Sequence, residues 1–487
     1  IGSTLTATAG DSITLGNIGT FEKQAGTTAL TATNGSIMVG NFAGLSLEAS
    51  AKEAVTINWF VEAFSGSAKL TGGSVSILGT LAAHKSSADI TSTTGDITLG
   101  GEVRVNDSIT LNSAGSITGE AADMHGGILT ATAEQSIVLK NIDIFFSPAT
   151  LTAKSGSITA GKVTVVNLTA NAAGNIALGD VEVGQTGAGI VSTGGNVVLN
   201  TFSGSGAQIS ALEGSIQVNS AVSVTGNTFL AGQSVAFAAA ASESGLSNAM
   251  VSAPQVSWAN GTTLTNVTLT GGAGEDGAEA DAEVGVGGSL VLKESQVKGD
   301  VTIEAKDAKL TVDHSTITGL EQGAKDIELN GGSIGSVYLE EGKKLGTFTS
   351  SGTSRINELV CDLVVENGIL NGGELTFTPA LGEDFGLVPG HLTVNQSTRL
   401  GGNLYLQVNP ELNFSLNKAN TETPLLTIDG TLECNDIDYI VINLRGDASV
   451  EGGETYALIS IEGGESPEGW PKSLTISGLG AKQNEIF

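Results

Sequence analysis

Apolar residues recur along this chain in two rhythms at once. Within short segments they alternate with Thr, Ser or Lys, as in Ile13-Thr14-Leu15, the period of a strand with one face turned inward. Between segments they return about every 20 residues, in a phrase close to Leu-Thr-Ala, a gap, then Ser-Ile-x-Leu. It stands at Leu5-Thr6-Ala7 with Ser12-Ile13-Thr14-Leu15, and again at Leu129-Thr130-Ala131 with Ser136-Ile137-Val138-Leu139. Three apolar columns keep step. The first runs Leu5, Leu30, Leu47, Leu70, Ile90, Ile109, Leu129, Leu151, Leu168, Ile190, Ile209, Leu230. The second runs Ile13, Ile37, Val55, Ile97, Ile117, Ile137, Ile158, Ile176, Val197, Ile216, and the third Ile18, Phe42, Phe60, Val103, Ile142, Val163, Val181, Phe202, Val222.

Three short strands per turn, each turn burying its apolar rows against the next, describe an all-β chain wound as a parallel β-helix. Pairs such as Asn34-Gly35 and Gly194-Gly195 fall between columns, where the chain must turn and a positive φ is expected. The 68 glycines and 8 prolines agree, because Pro would remove a ladder donor from a strand paired on both sides. Residues 1–260 form the regular repeats. Beyond them the winding continues over 261–370, where Leu290–Gly299 aligns with Leu310–Gly319 and places Ser295 over Ser315 and Lys293 over Asp313. The stretch 271–288 is acidic and Gly-rich and reads as an excursion out of the solenoid.

Charge narrows the partners. Residues 1–260 carry 17 acidic and 8 basic side chains, a net of −9, and residues 261–487 carry 34 and 13, a net of −21. No Lys/Arg cluster interrupts this acidic balance, which excludes nucleic acid as a partner. No apolar run reaches the roughly 18 residues of a membrane helix. The chain enters mid-pattern at Ile1-Gly2-Ser3, so a mature or trimmed product is expected, with membrane contact only through an anchor or barrel outside these residues. Cys361 and Cys434 lie too many turns apart in a regular solenoid to bridge, and two free thiols are expected.

From about residue 371 the strands become longer and more apolar. Leu392-Thr393-Val394 is followed by Gly401-Gly402-Asn403-Leu404, then by Leu425-Leu426-Thr427-Ile428-Asp429-Gly430 and Glu454-Thr455-Tyr456-Ala457-Leu458-Ile459. This succession over 371–487 resembles the end of an autotransporter passenger domain, the pertactin-like cap. The upstream repeats are similar to such passengers in style. The resemblance implies a right-handed β-helix with a C-terminal β cap module, export to a bacterial cell surface, and an adhesin or extracellular structural rod. A self-assembling surface filament or layer subunit is the variant reading.

Candidate chemistry is sparse, and no catalytic residue or cofactor is expected. A polysaccharide-degrading β-helix would need carboxylates from adjacent turns on one face. The best such grouping is Asp300, Asp313, His314 and Asp326, with Glu294 one turn below His314. Gly271-Gly272-Ala273-Gly274-Glu275-Asp276 matches one unit of a Ca²⁺-binding nonapeptide whose chemistry needs tandem copies, so Asp276 is the one metal candidate. His84, His125, His314 and His391 lack metal-ligand spacing. Aromatic clusters stand out more. Trp59, Phe60 and Phe64, and again Phe145 and Phe146, are too closely spaced for every ring to turn inward. Exposed rings on a flat face suit a host or matrix glycan, a protein, or another copy of the chain.

Overall fold

Period-two alternation gives each strand one row of core side chains, and parallel pairing sets each row on the row of the turn below. The computed structural model describes residues 4–478 apart from residues 21, 221, 225, 239–244, 273–277, 279, 323, 340–342, 408, 436, 452–453 and 463–472. The chain is a parallel β-solenoid of about 19 turns, with one short 3-10 segment, Lys418–Thr421. It divides into two compact units, Ile1–Ala253 and Pro254–Phe487.

In the first unit the second column is continuous. Ile13 stacks on Ile37, then Val55, Val75, Ile97, Ile117, Ile137, Ile158, Ile176, Val197, Ile216 and Val235, all buried. Val75 fills the gap left in the expected series. The third column is corrected at one place. Phe42 stacks on Val61, not Phe60, and Val61 on Leu81. The more hydrophobic ring sits one residue before the strand Val61–Ala63, where the alternation cannot bring it inward.

The first column proves to be two columns. Leu30 pairs with Ala49 and Ala49 with Leu70, while Leu5 pairs with Thr28 and Leu47 with Ala68. Farther along, Leu129 lies against Ala149 and Ala131 against Leu151. Every strand here offers two inward positions, and where one turn places Leu the next often places Ala. Alternating large and small residues lets layers interdigitate without voids.

The Gly-Ser-Ile phrase marks one corner, and its glycine answers to space. The residue before the second column forms a polar ladder in which a side-chain oxygen accepts the backbone N–H of the next turn. Ser36 N–H donates to Ser12 Oγ at 3.0 Å, Ser157 to Ser136 Oγ at 3.1 Å, Asn175 to Ser157 Oγ at 3.1 Å and Asn196 to Asn175 Oδ1 at 2.8 Å. A Cβ on Gly35 would lie 2.5 Å from Ser12 Oγ, and one on Gly156 2.4 Å from Ser136 Oγ. Neither these glycines nor Gly194 and Gly195 have positive φ. The expectation of left-handed corners there is therefore corrected: the oxygen of the turn below occupies the place of a side chain.

The second unit turns an equivalent corner with left-handed residues. Asn266, Glu294, His314, Gly331 and Gly352 have φ of 52°, 50°, 46°, 59° and 65°, and the strand registers beside them stack these five in one column. Behind the corner Ser295 N–H donates to Ser315 Oγ at 2.9 Å and Val267 N–H to Ser295 Oγ at 3.0 Å, with both serines buried. Lys293 does lie over Asp313. The acidic excursion is shorter than 271–288. Gly271 N–H donates to Ala280 O and Ala280 N–H to Gly272 O, and Ala282–Val286 is a sheet strand paired with Gln255–Trp258.

Winding does not stop at residue 371. Gly386–Gly401, Glu411–Leu416, Tyr439–Gly446 and Ser473–Ser477 pair in parallel, but the turns lengthen, as Leu412 stacks on Ile442 and Ile442 on Ile476. The added length is folded locally. Buried Asn420 accepts the Asn417 N–H at 2.8 Å through its side chain and donates to Ser397 Oγ at 3.3 Å. Cys361 and Cys434 are free thiols, and burial pushes the Cys434 thiol above the usual range.

Candidate binding surface

The five aromatic residues singled out in the sequence occupy two corners of the first unit. Trp59 follows the strand Ala54–Ile57 and is 71% exposed. Its backbone, with N–H bonded to Gly40 O, leaves room only for glycine above, since a Cβ on Gly79 would meet Trp59 O. Phe60 is half-buried and its carbonyl accepts the Phe42 N–H at 2.9 Å. Phe64 lies beyond the strand Val61–Ala63 and stacks on His84 of the next turn, ring centroids 5.7 Å apart.

Phe145 and Phe146 leave the corner that Phe64 occupies four turns earlier, about 19 Å away at the ordinary strand spacing. They project because the chain carries extra residues there. Against the turn below, His125 pairs with Asp143 and Leu129 with Ala149, so Gly126, Gly127 and Ile128 face the longer run Ile144–Pro148. Against the turn above, Ile144 pairs with Val165 and Pro148 with Asn167, so Val166 alone spans Phe145–Ser147. The excess bulges outward. Phe145 is 54% and Phe146 88% exposed, and their rings meet edge to face at 5.1 Å.

Beside the rings runs a strip of paired charges on the outer face of the third strands. Arg104, His125 and Asp143 share one column. Glu102 reaches both Arg104 Nε at 2.7 Å and His125 Nε2 at 3.0 Å. Asp123 accepts from Lys140 Nζ at 3.0 Å and Asn141 Nδ2 at 2.7 Å, and the Lys140 bond first, then that from Asn141, holds its carboxyl below the usual carboxylate range. This network was not singled out in the sequence. Its signal was an acid and a base about 20 residues apart on one outward column.

The carboxylates proposed for hydrolysis are dispersed. Asp313 accepts from its neighbour His314 at 2.7 Å and from Asn330 at 2.8 Å. Asp326 pairs with Lys309, at the far end of the strand from Asp313, and its Oδ1 takes the Thr347 N–H at 2.7 Å. Four residues of strand separate the two, about 13 Å. Asp300 lies in register with Glu283 instead. Glu294 donates its backbone N–H to Asp313 O but stands at the left-handed corner. Asp276 lies outside the described residues. Each histidine faces a carboxylate, His84 with Glu62 at 2.9 Å and His391 with Glu411 at 3.5 Å among them. Among the described residues no three His, Cys, Asp or Glu side chains are placed to hold a metal ion.

No family model, curated protein or solved structure matches this chain. The fold and surface geometry carry the functional reading alone.

Proposed function

We propose that this chain is an exported bacterial cell-surface β-solenoid that works without catalysis, as an adhesin or extracellular structural rod. The observation that carries the reading is the display of large rings where the fold gains nothing from them. Phe146 is 88% exposed on an excursion longer than either neighbouring turn, and Trp59 is 71% exposed at another corner. Exposed apolar groups held on a rigid ladder mark a contact surface. Elsewhere the outer rows are hydroxyl-rich, as where Thr110, Thr130, Thr150 and Thr169 stack in register. The acidic balance supports an extracellular role away from anionic polymers, and the passenger-like segments Leu392-Thr393-Val394 and Gly401-Gly402-Asn403-Leu404 support the surface assignment.

The test combines retention and turnover. Immobilised protein is challenged with host cells, matrix proteins and polysaccharides, and the same polysaccharides are assayed for released reducing ends. An adhesin holds one of these surfaces reversibly and releases no product. Turnover that Asp313→Ala abolishes would reverse the reading in favour of a polysaccharide-degrading enzyme.

A further inference from the structure

Resting on the reading of a binding surface, we propose that the Phe145–Phe146 corner is a subsite for an uncharged saccharide, which lays one sugar face on a ring and directs hydroxyls to the neighbouring strip. Size argues first. Two phenyl rings exposed to this extent offer on the order of 300 Å². A stable protein interface needs about 800 Å² on each partner, so this patch is too small to hold a protein or a second copy by itself. It is the size of one or two sugar rings.

Shape argues next. The rings stand at 88° to each other, giving an inside corner with one face on each wall. Beneath them the turn below supplies Gly126 and Gly127, which carry no side chain, followed by Ile128, which is 47% exposed. Both glycines are held there by close backbone, since a Cβ on Gly126 would meet Val105 O and one on Gly127 would meet Asp107 O. The gap left by the two glycines is therefore built into the ladder.

Charge selects the class of sugar. Glu102, Asp123 and Asp143 face Arg104, Lys140 and the His125 imidazole. Within a chain of net charge −30 the strip pairs each of its cations with a carboxylate. It offers both donors and acceptors to hydroxyl groups, but no surplus cation to hold a uronate or sulfate against the repulsion of the whole surface.

The experiment uses the full chain and affinity electrophoresis through gels containing mannan, dextran, soluble β-glucan or, as anionic comparators, polygalacturonate and heparin. Retardation by at least one neutral polymer is expected. Phe145→Ala with Phe146→Ala should weaken it on the order of tenfold or more, the scale of losing a central aromatic contact. Leu381→Ala, which removes an exposed apolar side chain of the second unit, should leave it unchanged. Both rings are solvent-facing, so the double variant folds, which an unchanged circular-dichroism spectrum verifies; Phe146→Ser alone serves if it does not. Retardation by anionic polymers only, by none of the gels, or equally in wild type and double variant would overturn the proposal. Cell or matrix-protein binding that survives in those cases would leave the adhesin reading standing, and its absence would remove both.

Discussion

The two units solve the same problem with different chemistry. A parallel coil must bend three times per turn without leaving backbone N–H groups unpaired. The first unit places an oxygen of each turn under the N–H of the next, through Ser12, Ser136, Ser157 and Asn175, and clears space for it with glycine. The second unit bends through left-handed residues, Asn266 to Gly352, and buries its serines behind the bend. In one unit glycine is needed for proximity and in the other for conformation. Substitutions that treat those needs differently will separate them.

The largest effect is expected from Gly156→Ala. Its new Cβ would lie 2.4 Å from Ser136 Oγ and 2.7 Å from the Gln135 carbonyl carbon, so the ladder must open. A loss of about 2–3 kcal/mol follows from forced overpacking, and Gly156→Asn should be no milder. At Gly331, with φ of 59° and only the His314 ring nearby at 3.3 Å, alanine should cost about 1–2 kcal/mol through backbone strain. Asn tolerates that conformation, so Gly331→Asn should recover part of the loss. Amide hydrogen exchange in the flanking turns reads both, because repeats open locally. If Asn rescues at 156 and fails at 331, the contrast between the units is wrong.

Serine deletions sharpen the same contrast at smaller magnitude. Ser315→Ala removes the acceptor for the buried Ser295 N–H and the bond from Ser315 Oγ to Asp313 O, stranding a donor away from water. A cost of about 2 kcal/mol is expected from an unsatisfied buried group. Ser136→Ala removes the acceptor for Ser157 N–H at a more open corner, where water replaces it, and should cost about 1 kcal/mol or less. Equal losses in denaturant midpoint would mean that burial does not distinguish the two ladders.

How much of this could be read from residue order depends on which physical signal each feature leaves. The second column was legible because one inward position always takes Ile or Val. The first was read as a single column because Leu outweighs Ala by eye, although Leu30 in fact stacks on Ala49. Phe60 was drawn into the core for the same reason, and only pairing shows that Val61 holds that place. The Gly-Ser-Ile phrase was visible but its cause was not, since proximity and positive φ both select glycine. Asp300 was grouped with Asp313 by nearness in sequence, whereas the register gives it Glu283, a residue assigned to the excursion. The protrusion of Phe145 and Phe146 left a clear trace, because adjacent rings break the alternation. The paired strip beside them needed the register before it could be seen.

The smallest effect tests the outer faces instead of the corners. Asp123 is half-buried and bonded to Lys140 and Asn141 of the next turn, which hold its carboxyl below the ordinary value. In the unfolded chain it regains a pKa of about 3.9. The unfolded state therefore binds more protons between the two values, so the contribution is complete above about pH 4–5 and is lost as pH falls through the folded value. Asp123→Asn keeps the shape but cannot titrate there. It should cost only a few tenths of a kcal/mol at neutral pH, because ion pairs at the surface are screened by water, and it should flatten the fall in denaturant midpoint below about pH 4. The neighbouring ladder bonds through Ser136, Ser157 and Asn175 use side chains that do not titrate and should keep their exchange protection at those pH values. A variant with the wild-type acid slope would show that the strip beside the rings does not couple one turn to the next, and would leave the corner ladders as the main polar tie between turns.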